Sequence, residues 1–249
     1  MIEFENVSIS LNGKGVLKDI SLTIQPGEVF CIMGESGVGK SVLIKQLVGL
    51  LRPDKGSIRF DGEEVTTMNE DELTVLRKKC GMVFQFATLF DSMSCLDNVA
   101  LPLRKHLNIP LHRARLRALH YLSELGVDHL ADRDPASLGP GLRKLVAIAR
   151  TLTLDPMAIL YDEPTCGLDP IAARKLDALI SGKLVASGLT QVVVSHDVRS
   201  VVDIADRLVM LHEGEVRFLG TVHNLTECDD PVVRRFIEGR PEGRPSLMM

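Results

Sequence analysis

The sequence predicts an α/β protein: a sheet core whose strands alternate with helices, interrupted by a mostly helical insertion. Three observations carry this. Short apolar runs of strand length recur at residues 28–33, 81–84, 157–161, 191–194 and 207–211. Between them lie stretches with helical apolar spacing, such as Leu116, Leu119 and Leu122. And Gly34, Glu35, Ser36, Gly37, Val38, Gly39, Lys40 and Ser41 form the pattern G-x-x-x-x-G-K-S/T, set between one such strand and a helix. That pattern carries a mechanism. Its glycines let backbone N–H groups turn inward around phosphates, the lysine reaches the β- and γ-phosphates, and the hydroxyl can hold Mg²⁺. The helix that follows points its N-terminus at the anion.

The first 33 residues alternate apolar and polar, with turn signals at Asn12-Gly13 and Pro26-Gly27, which predicts three strands. The helix after the phosphate loop is expected to end near Leu51, ahead of Pro53. Residues 57–60 read as a strand closed by Asp61-Gly62. Asn69 reads as the N-cap of a helix reaching about Lys79. Residues 81–84 end at Gln85. From 86 to about 156 the pattern is mostly helical, with helices over 111–125 and 141–154. After the strand at 157–161 come a helix at 171–186, a strand at 191–194, a helix at 197–204, and strands at 207–211 and 215–218. A last helix covers 231–237. The Pro/Gly/Arg-rich end, residues 241–249, reads as mobile.

Composition narrows the function. A net charge of −4 lacks the basic footprint of nucleic-acid proteins, and two Tyr with no Trp leave few stacking platforms. No apolar stretch reaches the roughly 18 residues that span a bilayer, so no direct membrane insertion is expected. The first residues lack the basic start and apolar core of a signal peptide. The five cysteines show no C-x-x-C spacing and are expected to be reduced thiols.

Asp162 and Glu163 follow the apolar strand Ala158-Ile159-Leu160-Tyr161. An acid at a strand end opposite a phosphate loop completes a Mg²⁺ shell with the loop hydroxyl, and the next acid is available as a general base on water. Glu163-Pro164-Thr165-Cys166-Gly167-Leu168-Asp169-Pro170 and then Ser195-His196-Asp197 follow at the ends of later elements.

With these motifs in this order, the chain resembles the ATPase subunits of ABC transporters over nearly its whole length. The resemblance implies a P-loop NTPase ABC ATPase fold, with a helical subdomain at about 86–156, an antiparallel β subdomain, and one domain over residues 1–240. It implies ATP and Mg²⁺ as cofactors. Gln85 matches the Q-loop glutamine, which senses the metal and moves with the transporter. Ser41, Gln85 and Asp162 are then the metal residues, and Glu163 and His196 the catalytic pair, His196 contacting the γ-phosphate. Asp169 matches the D-loop aspartate, which contacts the partner subunit and doubles as a helix N-cap.

Two segments depart from the family. Its signature usually reads Leu-Ser-Gly-Gly-Gln; here Leu138-Gly139-Pro140-Gly141-Leu142 stands in that place. In the family this segment caps the γ-phosphate held by the other subunit. A lost hydroxyl bond to phosphate weakens that step by roughly 1.5–3 kcal/mol, or about ten- to a hundredfold. Gly139 and Gly141 keep backbone N–H groups at a helix start, so an anion site survives. The aromatic residue that stacks on adenine is replaced by Leu11, leaving apolar contact there and at Val16.

Residues 83–103, Gly39 to Lys45 and the tail at 229–239 resemble the Mla-type ATPases, which drive phospholipid transport with MCE-domain partners. That resemblance implies a homodimer held partly by its tail, with a permease and an MCE-domain protein as partners. It places the chain in the cytoplasm, peripheral on the inner membrane through the permease. Leu89, Phe90 and Met93 form an apolar stretch expected to receive the permease. Two other functions compete: a nucleotide-binding regulatory subunit without hydrolysis, and an import ATPase for another solute. A DNA-maintenance ATPase of ABC type needs a long coiled-coil insertion, and the sequence has none.

Overall fold

A computed structural model describes residues 1–239; the tail expected to be mobile, 241–249, lies outside the described residues. In chain order the elements are β1 (Ile2–Leu11), β2 (Lys14–Ile24), β3 (Val29–Gly34), α1 (Lys40–Leu47), β4 (Lys55–Phe60), β5 (Glu63–Glu64), α2 (Glu70–Lys79) and β6 (Cys80–Val83). There follow α3 (Cys95–Leu107), α4 (Leu111–Glu124), α5 (Pro140–Leu152), β7 (Ala158–Asp162) and α6 (Pro170–Ala178). The chain continues with β8 (Thr190–Val194), α7 (Val198–Ile204), β9 (Arg207–His212), β10 (Glu215–Thr221), α8 (Val222–Thr226) and α9 (Pro231–Ile237). It divides into two compact units, one of Met1–Thr67 with the residues from Val194 on, the other Met68–Val193.

In the first unit β1 is paired antiparallel with both β2 and β4, giving the order β2-β1-β4-β5. Alternate residues of β1 are buried, as a strand with one covered face requires. β3 differs: all six of its residues are buried, and it runs parallel to β9, which turns back antiparallel into β10. An unbroken apolar run fits a strand covered on both faces. α1 stops at Leu47, short of the expected Leu51. Gly49 stands at φ 66°, and the N–H of Leu50 bonds the Lys45 carbonyl at 2.9 Å. This is the Schellman closure that a glycine makes cheap.

In the second unit α2 begins on a capping box: the Asn69 side chain accepts from the N–H groups of Asp71 and Glu72, and Glu72 reaches back to the Asn69 N–H. β6 pairs parallel with β7, which lies between β6 and β8. β7 and β8 are buried throughout. Between β6 and β7 the chain forms α3, α4 and α5, each packed on the other two. Of these, α3 lies in the stretch expected to be mostly helical but outside the two helices expected there; Pro102 sits inside it and obscures the helical pattern. α6 ends at Ala178 and widens into a π-helical stretch, Leu179–Leu184. There the buried Gln191 amide donates to the Ile180 carbonyl at 2.9 Å. A side chain inserted into a helix ladder is a known cause of such distortion.

Candidate functional site

The phosphate loop lies in the first unit, between β3 and α1. Lys40 is buried, and its Nζ donates to the carbonyls of Gly34 (2.8 Å) and Glu35 (2.9 Å), so the ammonium is folded back over the loop's own backbone. Gly39 is the N-cap of α1 at φ 108°. A Cβ there would stand 2.6 Å from Leu17 Cδ2 and 3.2 Å from Val16 Cγ1. Only glycine satisfies both the left-handed backbone and that approach. Val16 is thereby set directly against the loop. Glu35, Ser36 and Gly37 are exposed, Val38 and Ser41 half-buried. The residues therefore fit a polyphosphate: a glycine-rich loop with exposed residues at its tip, a helix start and a lysine within one turn. His196 is exposed and shares a cleft of the same unit with Glu35, His212, Arg235 and Phe236. Sequence reasoning did not bring α9, which carries Arg235 and Phe236, to His196.

The second unit holds the other expected residues. Asp162 ends β7 and is buried. Glu163 follows at φ 50°, a left-handed backbone that costs a non-glycine residue about 1–2 kcal/mol. Such strain persists where the surroundings over-determine it, and it gathers at functional sites. The Gln85 amide donates to Cys166 Sγ at 3.4 Å, tying the end of β6 to the loop after β7. Asp169 caps α6, accepting from Ile171 and Ala172 at 3.0 Å each, and these backbone bonds hold its carboxyl below the usual carboxylate range. Gly139 is the N-cap of α5 and Pro140 its first residue, where a missing N–H costs nothing. Among the described residues no atom lies within 4 Å of a Cβ built at Gly139, and Gly141 meets only ordinary contacts, so none of them demands glycine at 139. Gly139, Gly141, Leu168, Asp169 and Ile171 line one apolar groove.

The apolar stretch after Gln85 is arranged differently from the expectation. Leu89 is buried and Met93 half-buried; Phe86 (80% exposed) and Phe90 (54%) face out. The buried Asn98 organises this loop. Its Nδ2 donates to the carbonyls of Phe90, Met93 and Ser94, and its Oδ1 accepts the Phe90 N–H at 2.7 Å. No helix among the described residues is long and apolar enough to cross a membrane.

Comparison with known proteins shows the family. Residues 17–166 match the ABC transporter family. MlaF of Escherichia coli, an intermembrane phospholipid transport system ATP-binding protein, is 37% identical over 243 residues, covering 98% of this chain and 90% of that protein. A Mycobacterium tuberculosis protein named "Probable ribonucleotide transport ATP-binding protein mkl" is 36% identical, over 97% of this chain and 67% of that one. Among solved structures, cbiO1 of Clostridium perfringens, part of an ABC transporter complex, superposes with a TM-score of 0.84 at 30% identity, covering 94% of this chain and 93% of that one. The cassette MJ0796, a dimer in a post-hydrolysis state bound to ADP and Pi, gives 0.81 at 33% identity, covering 89% and 99%. In motif order, sequence and fold alike, the chain is an ATP-binding subunit of the ABC transporter family.

Proposed function

We propose that this subunit hydrolyses ATP to drive phospholipid transport across a bacterial envelope. The observation that carries the nucleotide part is the loop between β3 and α1, with Lys40 folded over its backbone and Gly39 left-handed against Val16. The cargo rests on the similarity to the Escherichia coli phospholipid transport protein.

In this reading the N–H groups of residues 34–39 and Lys40 Nζ hold the β- and γ-phosphates. Val16 and Leu11 give adenine an apolar contact. Ser41 Oγ, Asp162 and Gln85 would hold Mg²⁺, which would supply positive charge to the phosphate oxygens. Glu163 takes a proton from the attacking water as its oxygen bonds the γ-phosphorus and the bond to the β-phosphate oxygen breaks. His196 donates to the γ-phosphate. A second copy completes the site with the N–H groups of its Gly139 and Gly141, and Asp169 lies at that contact. The apolar groove beside residues 139–141, with its exposed Ile171, suits burial against a second copy. Phe86 and Phe90 receive the permease, residues 86–156 move with it, and an MCE-domain protein handles the lipid. The chain then sits on the cytoplasmic face of the inner membrane, held there by the permease.

The mycobacterial relatives favour a second reading, with a ribonucleotide as cargo. Reconstitution separates the two. The complex is placed in vesicles carrying labelled phospholipid and given ATP. Lipid transfer that stops with Glu163→Gln supports the proposal. Transfer of labelled nucleotide with no movement of lipid contradicts the cargo.

A further inference from the structure

A lysine is seldom fully buried, because its ammonium must recover the hydrogen bonds it had in water. Lys144 is 3% exposed and lies in the second turn of α5. Its Nζ donates to the carbonyls of Glu163 (3.1 Å), Pro164 and Cys166 (3.0 Å). An ammonium has three donors and no acceptor, so it suits three converging carbonyls. Burial pushes its pKa below the ordinary lysine range, while the neighbouring Cys166 and Glu163 pull it back up.

The three carbonyls belong to the loop that carries Glu163 in its left-handed conformation. The Glu163 carbonyl also accepts the Cys166 N–H at 3.2 Å, so it is held from two sides. Cys166 Sγ in turn accepts the Gln85 amide. One ammonium thus fastens the start of α5 to the loop after β7, and that loop is bonded to Gln85.

We infer that Lys144 is a positioning residue for hydrolysis: by gripping the carbonyls of Glu163, Pro164 and Cys166 it keeps Glu163 in the backbone conformation from which its carboxylate acts. The inference rests on Glu163 being the general base. It also gives the signature helix a direct hold on the base. Movement of the α5 N-terminus against a second copy's nucleotide pulls on the same three carbonyls.

The test uses Lys144→Met, which keeps most of the volume and removes every donor, and Lys144→Arg, which keeps the charge. Both are made in the full chain within its transporter complex. Three quantities are read: amide exchange across residues 162–168, ATP affinity, and kcat. In Lys144→Met the Cys166 amide exchanges about tenfold faster or more, since its acceptor is loosened. The kcat falls about tenfold or more while ATP affinity stays within about twofold, because Lys40 and its loop lie on other elements. Lys144→Arg recovers part of both losses. Unchanged exchange in Lys144→Met overturns the inference, and so does an unchanged kcat. Loss of ATP affinity in step with kcat also overturns it, by marking a general structural role. A wild-type complex no faster than Glu163→Gln defeats the general-base assignment instead, and the exchange measurement then decides alone whether Lys144 holds the loop.

Discussion

Glu163 and Gly139 show how much rests on single backbone positions. Glu163 holds a left-handed conformation although it is not glycine. Gly139 is glycine although its own conformation, φ −64° and ψ 159°, is open to any residue. With no atom of the described residues within 4 Å of a Cβ there, Gly139→Ser fits without strain. Serine as N-cap changes helix stability by only a few tenths of a kcal/mol relative to glycine. The restored hydroxyl is expected to raise the ATPase rate about ten- to a hundredfold, the size of one hydrogen bond to a charged phosphate. Steady-state assays beside thermal melts measure both. A rate that does not rise means that residue 139 does not face nucleotide. At this scale the phosphate loop was legible, because its residue types stand at a spacing set by phosphate geometry. Lys144 was not. A lysine in a helix reads as a solvated side chain, and the three carbonyls that bury it come from some twenty residues away.

Among the elements, caps and apolar runs could be read directly. Asn69 caps α2 as expected, Asp169 caps α6 and Asp197 caps α7. Boundaries and exposure were less legible, since packing and turns decide them. Gly49 ends α1 early, and Asn98 holds the backbone of Phe90, whose ring faces out while Leu89 goes in. Asn98→Leu removes the acceptor of the Phe90 N–H and the donor to three carbonyls. Leaving such buried groups unpaired costs about 1–3 kcal/mol. A denaturant midpoint lowered to match, with weaker permease copurification, is the expected result. Normal copurification would separate this loop from docking. α3 and α4 are joined by Arg115, whose Nε and Nη2, on one guanidinium edge, donate to the two Asp97 carboxylate oxygens at 2.8 and 2.7 Å. The Arg115 hydrogen bond holds the Asp97 carboxyl below its usual range. A carboxylate depressed in the fold adds stability above its unfolded pKa, about 3.9, and loses it as pH falls through the folded value. Arg115→Gln is therefore expected to melt below the wild type at neutral pH, with the gap closing in acid. Both side chains are partly exposed, so the gap is small. A gap that persists in acid would show that packing, not the ion pair, sets it.

For the whole molecule, the expected residues are shared between two units. The phosphate loop, Val16 and His196 belong to the first; Gln85, Gly139, Gly141, Asp162, Glu163 and Asp169 belong to the second. Their order along the chain is that of the family it identifies. The decisive measurement is steady-state ATP hydrolysis by the intact transporter complex, wild type against Glu163→Gln, with ATP binding followed in parallel. Removing a general base costs about a hundredfold or more. The account predicts such a fall in kcat with ATP still bound; equal rates in the two proteins would contradict it.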